Sequence, residues 1–394
     1  MITVGYQKET HTHKRNIIGI IDGIRYRKVK SYVDYEYMIL RLMDKLGIKL
    51  FKERMLRKSA EFQDFGINKV DILHFFNTIS FGKTPWIVTC GTLVPRYQRV
   101  MASKRGNQPS FDGLRNSERI YNAVRAIAGS SCKKFIAQSQ CSKKLQESFL
   151  DEFPEFKNHI MEKMVVLYPP QIPIIKSIDE KNPSLRKIEL IFVGSSFFRK
   201  GGTEIINVIK RNRHFKNRFN LILVSNLAAE DFVKYISHQD VRQVRKTIEE
   251  NSDWIEIYPG LPNNEVLRLM KRAHVGLLPT YADAFGYSVL EFQAAGCPVI
   301  STDVRALPEI NNNEIGWLIN VSKNRYSEAV YGTEDQRRAL RSQIETGLER
   351  VFSELCDNPD VIYDKSLQSY NHVSRLCSME SYARRLEEIY VASL

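Results

Sequence analysis

The sequence predicts an α/β protein with parallel sheets in two domains, and three observations carry that expectation. The second half alternates short apolar runs with helix-like stretches: Ile188–Val193, Leu221–Ser225, Trp254–Tyr258, Val275–Leu278 and Pro298–Thr302 are strand-length. Continuous apolar strands between helices are what a sheet covered on both faces requires. The first half holds similar runs at Val70–Phe76, Pro85–Cys90, Lys134–Gln140 and Met164–Leu167. Finally, 394 residues are long for one core, and the Pro-, Lys- and Ser-rich stretch from Tyr168 to Pro183 reads as a linker. The expected boundaries are 1–175, 176–375, and a closing segment 376–394.

Composition narrows the class. A hydrophobic content of 43% and a mean hydropathy of −0.33 fit a soluble globular protein. No apolar run reaches the roughly 20 residues of a membrane-spanning helix. Met1 to Asn16 is polar and basic without an apolar core, so no secretory signal is expected. The six cysteines are scattered, without C-x-x-C pairs or neighbouring histidines, which argues against a disulfide framework or a zinc site and fits the cytoplasm. Charge is uneven: residues 1–170 carry 29 Lys and Arg against 16 Asp and Glu, whereas 171–394 balance at 29 each. The whole excess of +13 therefore lies in the first half, which suits an anionic membrane face or an acidic acceptor. No recognised module supports a nucleic-acid partner.

Within the first half, Asn16–Asp22 is an ambiguous strand candidate. Gly23 to Lys30 mixes Arg, Lys and Tyr, a pattern that can bind polyanions or form one solvated strand face, with the solvated face favoured, and Tyr32–Leu46 is helix-like. Arg96 to Asp112 is a polar, basic loop long enough to cover an acceptor. Ser139 is placed to start a helix. At the end of the chain, Met379, Tyr382, Leu386, Ile389 and Tyr390 share one helical stripe.

The chemistry concentrates in two loops. Gly194-Ser195-Ser196-Phe197-Phe198-Arg199-Lys200-Gly201-Gly202 follows a strand and opens a helix; its glycines let backbone approach a diphosphate, and its cations offset charge. Further on, strand Val275–Leu278 leads to Asp283-Ala284-Phe285-Gly286-Tyr287-Ser288-Val289-Leu290-Glu291, then to Gly296, which ends the helix, and to the next strand. Two carboxylates eight positions apart flank a helix N-terminus, whose unpaired N–H groups suit a phosphate. They are not arranged as a glycosidase pair, which must face each other across the bond.

This second run resembles the E-x-F-G-x4-E signature of retaining glycosyltransferases of family four, with Asp283 in place of the first Glu. Lys200-Gly201 resembles the family's K-G element, and Gly260-Leu261-Pro262 the place where the nucleotide base is held by backbone groups. The likeness is good over about residues 185–320 and loose before them. It implies the GT-B architecture: two Rossmann-like domains facing across a cleft, with the last helix crossing back to the first. It implies transfer of a sugar from a nucleotide-diphosphate donor, UDP or GDP, without a metal, to a glycan or lipid-linked acceptor in cell-surface polysaccharide synthesis. Asp283, Arg199 and Lys200 would be catalytic. Gly194, Ser195, Gly201, Leu261, Phe285, Gly286, Tyr287, Ser288, Val289 and Glu291 would bind the donor, with Glu291 on the ribose hydroxyls. His74, Gly91 and Thr92 would lie on the acceptor side. Four departures stand out: the shorter Asp283, Gly91 where the family often has a His, Ser195 where many members carry an Arg whose guanidinium Arg199 would replace, and no glycine-rich loop near the start of the chain. A sugar-nucleotide epimerase of the same fold and a degenerate partner of another transferase remain open alternatives.

Overall fold

Two six-stranded, wholly parallel sheets organise the molecule. The computed structural model describes the chain apart from residues 47–59, 182–184, 230–232 and 234–235, and apart from the side chains of Tyr37, Leu40 and Asp44. The first sheet contains β1 (Thr3–Tyr6), β2 (Arg25–Lys28), β4 (Ile72–Phe76), β6 (Trp86–Cys90), β7 (Cys132–Ala137) and β8 (Met164–Val166); β3 (Glu61–Phe62) and β5 (Ile79–Ser80) pair separately. The second contains β9 (Ile188–Val193), β10 (Phe219–Val224), β11 (Ile255–Tyr258), β12 (Val275–Leu278), β13 (Val299–Thr302) and β14 (Trp317–Ile319). Their orders are β2-β1-β4-β6-β7-β8 and β11-β10-β9-β12-β13-β14. In both, the chain winds outward from the first strand, returns, and winds the other way. The reversal falls between β1 and β4 and between β9 and β12, where open α/β sheets present a crevice at their carboxyl ends.

The expected α/β class is thus observed in two Rossmann-like units. One comprises Met1–Lys104, Ser110–Pro170 and Met379–Leu394; the other comprises Arg105–Pro109 and Gln171–Ser378. The strands of the second unit are apolar runs because both faces are covered: Leu190, Ile191, Phe192, Leu221, Ile222, Leu277 and Ile300 are closed to solvent. Burying each such side chain contributes about 1.5–3 kcal/mol. The first unit's opening was read less well. Its first strand is the four-residue Thr3–Tyr6, whereas Asn16–Asp22 is a helix end and an irregular turn. Four residues are too few for periodicity to announce.

The last helix, Met379–Val391, belongs to the first unit. Tyr382, Leu386, Ile389 and Tyr390 pack with Val4, Ile72, Ile87 and Ile136 of the sheet, and the Tyr382 hydroxyl donates to the Asn16 carbonyl at 2.9 Å. This arrangement corrects the expected role of His74. Its ring is fully buried, with Nδ1 2.7 Å from the Tyr390 hydroxyl and Nε2 2.8 Å from Thr89 Oγ1. With both nitrogens engaged inside the core, His74 ties strand to helix and does not line an acceptor cleft.

Burial pushes the His74 imidazole down to about 3; His13 is lowered to about 4 by burial first and then by the charge of Lys8. Both folded values lie below the unfolded one near 6.5, so the unfolded chain binds more protons between these limits. Stability is therefore complete above about pH 6.5 and is lost as pH falls through that window, by up to about 1.4 kcal/mol per pH unit per histidine. Urea unfolding between pH 7 and 4.5 should show this slope, and His74→Phe should flatten it. An unchanged slope in the variant would contradict the assignment.

Candidate functional site

At the β9/β12 reversal, two loops meet backbone to backbone. Gly201 has a left-handed φ of 85°, and a Cβ there would lie 2.2 Å from the Pro279 carbonyl oxygen. No side chain fits that gap, so glycine sets how closely the loop after β9 approaches the loop after β12. Arg199 straps the two together. Its guanidinium donates to Ser196 Oγ at 2.9 Å and to the Ala282 carbonyl, while its own carbonyl accepts from the Tyr281 N–H at 2.9 Å. Thr302, at the end of β13, donates from Oγ1 to the Thr280 carbonyl at 2.7 Å. The guanidinium expected at the leaving group is thus spent at least partly on holding the loop.

The strap brings Lys200 and Asp283 together. The lysine stem lies over Gly194, where a Cβ would fall 2.7 Å from Lys200 Cδ, and its Nζ is 3.8 Å from Asp283 Oδ2. Both side chains are mostly buried, 17% and 16% exposed. Asp283 Oδ1 accepts N–H groups from Gly286 at 2.9 Å and Phe285 at 3.2 Å. One carboxylate oxygen therefore folds the loop, and the other stands beside a cation.

The turn then delivers a helix, Tyr287–Ala294, entered through Gly286 at φ 92°. A Cβ on Gly286 would fall 2.4 Å from Leu307 Cδ2, so this glycine too is set by close packing. Helix-start N–H groups lack carbonyl partners within the helix and carry a partial positive charge. The Val289 N–H donates to the Gly286 carbonyl at 2.9 Å, and Tyr287 and Ser288 form the first positions of the helix. Ser288 Oγ is buried and has no hydrogen-bond partner among the described residues. Glu291 is half-buried one turn further along the same helix.

Within the second unit, Ser195 and Leu261 lie outside this cluster. Ser195 is exposed just after β9, and Leu261 is half-buried after the edge strand β11, two strands away. Gly91 and Thr92 follow β6 in the first unit and are buried. A Cβ on Gly91 would fall 2.9 Å from Gln138 Oε1, and the Gly91 carbonyl accepts from Ser142 Oγ at 2.7 Å. A histidine at Gly91 would have to displace Gln138. Beside it, Gln138 Nε2 donates to Asn16 Oδ1 at 2.8 Å, and His13 is buried near Phe76. Among the described residues, no group of three or more His, Cys, Asp or Glu side chains is placed to hold a metal ion.

One supporting group went unread in the sequence. Tyr281 is fully buried, and its hydroxyl donates to Glu204 Oε1 at 2.8 Å; Glu204 is itself closed to solvent in the first turn of helix Gly202–Arg211, with Arg341 Nε 3.7 Å away. Burial, then the nearby carboxylate, raises the Tyr281 hydroxyl above its ordinary pKa, so it stays a donor. An acidic residue in a helix's first turn was visible, but nothing local linked it to a tyrosine 77 positions on.

Residues 174–347 match the family model described as glycosyl transferases group 1. A Klebsiella pneumoniae protein described as an uncharacterized 41.2 kDa protein in the cps region is 29% identical over 147 residues, which is 37% of this chain and 36% of that one. Glycogen synthase of Mycobacterium tuberculosis is 25% identical over 139 residues, 34% of this chain and 31% of that one. The chain thus spans about a third of the length of these curated relatives. Among solved structures, Anabaena HepE in complex with UDP covers the whole of both chains at a TM-score of 0.58 and 11% identity. Sucrose-phosphate synthase of Thermosynechococcus elongatus covers 99% of this chain and 98% of that one at 0.58 and 12%. At such identities the likeness is one of fold, and the fold is GT-B.

Tyr281→Phe should cost about 1–3 kcal/mol in urea unfolding, since it strips a donor from a buried carboxylate. A cost near zero would show that the hydroxyl does not support the loop.

Proposed function

We propose that the chain is a retaining glycosyltransferase of family four. In this reading it moves a hexosyl group from a UDP- or GDP-sugar, without a metal, to a glycan or lipid-linked acceptor in cell-surface polysaccharide synthesis. The observation that carries it is the pairing of Lys200 with Asp283, whose other oxygen holds the turn that enters the Tyr287–Ala294 helix. The group 1 family match over residues 174–347 supports transfer, and the Klebsiella relative from the cps region supports a polysaccharide product. HepE structures holding UDP and UDP-glucose favour UDP over GDP.

The chemistry follows from where charge develops. The bond between the anomeric carbon and the β-phosphate oxygen breaks, and its electron pair leaves on the diphosphate. Lys200 and the Tyr287–Ser288 terminus would take up that charge, the part a metal ion would otherwise play. The acceptor hydroxyl bonds to the anomeric carbon on the face from which the diphosphate departs, and passes its proton to the departing phosphate. Asp283 Oδ2 would accept from hydroxyls of the donor sugar, and Glu291, with two oxygens, would bind both ribose hydroxyls. The acceptor would be met on the basic first unit, at the inner face of an anionic membrane in the cytoplasm.

The test is release of nucleoside diphosphate from UDP- and GDP-sugars in the presence of polyprenyl-diphosphate-linked sugar. Lys200→Ala should lower turnover by roughly 10²–10³ without altering thermal unfolding. Glu291→Ala should chiefly raise KM for the donor. Wild-type kinetics in both variants would refute the site.

A further inference from the structure

Helix Tyr32–Lys45 in the first unit presents an apolar stripe to solvent. Its start is fixed: the Tyr32 N–H donates to the Gln63 carbonyl at 2.6 Å, and the Val33 N–H to Ser31 Oγ at 3.2 Å. Tyr35, Met38, Ile39, Leu42 and Leu46 form one helical stripe and are all exposed, Met38 at 67% and Leu42 at 61%. None of the helix's described side chains is buried. The patch continues beyond the helix, because the Tyr32 ring stacks edge-on at 5.4 Å against Phe65, which is 70% exposed. A contiguous exposed apolar surface of this kind marks an interaction site rather than scatter.

Charge identifies the partner. The edge strand β2 runs directly into this helix and exposes Arg25, Arg27 and Lys28; Lys30, Arg41 and Lys45 are exposed around it. Six cations thus border the stripe against Asp34, Glu36 and Asp44 between residues 25 and 46. An apolar face of Met, Ile, Leu and aromatic residues rimmed by Lys and Arg fits a helix lying in the headgroup region of an anionic bilayer. A second copy fits less well. The helix has 14 residues, too few for the three or four heptads of a lasting coiled coil, and a two-fold contact would set one basic rim against another.

We propose that helix Tyr32–Lys45, with Phe65 and the basic strand β2, is the element by which this chain docks in the plane of an anionic membrane. Among the described residues no helix is long and apolar enough to cross one. Docking would keep the first unit against the surface where a lipid-linked acceptor resides. That purpose rests on the function proposed above, but the docking face is testable without a transfer assay.

The experiment is flotation of the full chain with phosphatidylcholine vesicles, with and without phosphatidylglycerol. The wild-type chain should float only with the anionic vesicles and should be released by high salt. Met38→Glu/Ile39→Glu/Leu42→Glu should weaken binding by at least roughly tenfold. Unchanged thermal unfolding and UDP binding would show that the fold is intact, and Met38→Gln/Leu42→Gln serves as the milder variant. No flotation, flotation of the variants equal to wild type, or equal flotation with neutral vesicles overturns the proposal. So does a wild-type dimer in size-exclusion chromatography that the glutamates render monomeric, which would assign the face to a second copy. Loss of flotation alongside intact transfer to a water-soluble acceptor separates failure of docking from failure of the catalytic reading.

Discussion

The site depends on a contact with no side chain in it: Gly201 against the carbonyl of Pro279. Any Cβ would push the loop after β9 away from the loop after β12, and the chemistry is divided between those loops. Lys200 comes from one and Asp283 from the other, and their 3.8 Å separation exists only while the backbones touch. Arg199 and the Tyr281–Glu204 pair hold the same junction from either side. Preorganised charge of this kind needs little rearrangement when a diphosphate departs, which is why electrostatic sites are built on rigid supports.

Sheet topology explains why the junction lies where it does. In the order β11-β10-β9-β12-β13-β14, neighbouring connections leave to opposite sides only between β9 and β12, so the two loops meet at the crevice that such a reversal forms at the carboxyl ends of the strands. The helix starting at Tyr287 then points its N-terminus along the same edge. In the first unit the equivalent reversal lies between β1 and β4, and the buried polar residues His13, Asn16 and Gln138 belong to that unit. The two units share a plan and differ in how they use charge: the first exposes part of its basic excess on β2 and the helix that follows, and the second sets Arg199 and Lys200 among loop carbonyls and a carboxylate.

The second sheet was legible because five of its six strands are mostly apolar runs of four to six residues, and because Asp283 to Glu291 combines a turn, a helix start and two acids within nine positions. What escaped reading was non-local. Thr3–Tyr6 is too short to show a period. His74 looked like a cleft residue until the final helix, 316 positions away, closed over it. Arg199 looked free for phosphate because no local pattern shows that a guanidinium will reach a carbonyl 83 residues on. Gly201 was placed as an approach residue and Gly286 as a donor-binding one, while Pro279 and Leu307, against which they pack, emerge only in three dimensions.

The central claim is that a nucleoside diphosphate sits on Lys200 and the Tyr287–Ser288 terminus. Calorimetric titration of UDP and GDP into the wild-type chain and into Lys200→Ala tests it most directly. The account predicts binding of one nucleotide by the wild type and at least roughly tenfold weaker binding by the variant, as expected for losing a charged hydrogen bond of about 1.5–3 kcal/mol. Binding of equal strength in both proteins would contradict the placement of the diphosphate, and the absence of binding in both would contradict the site itself.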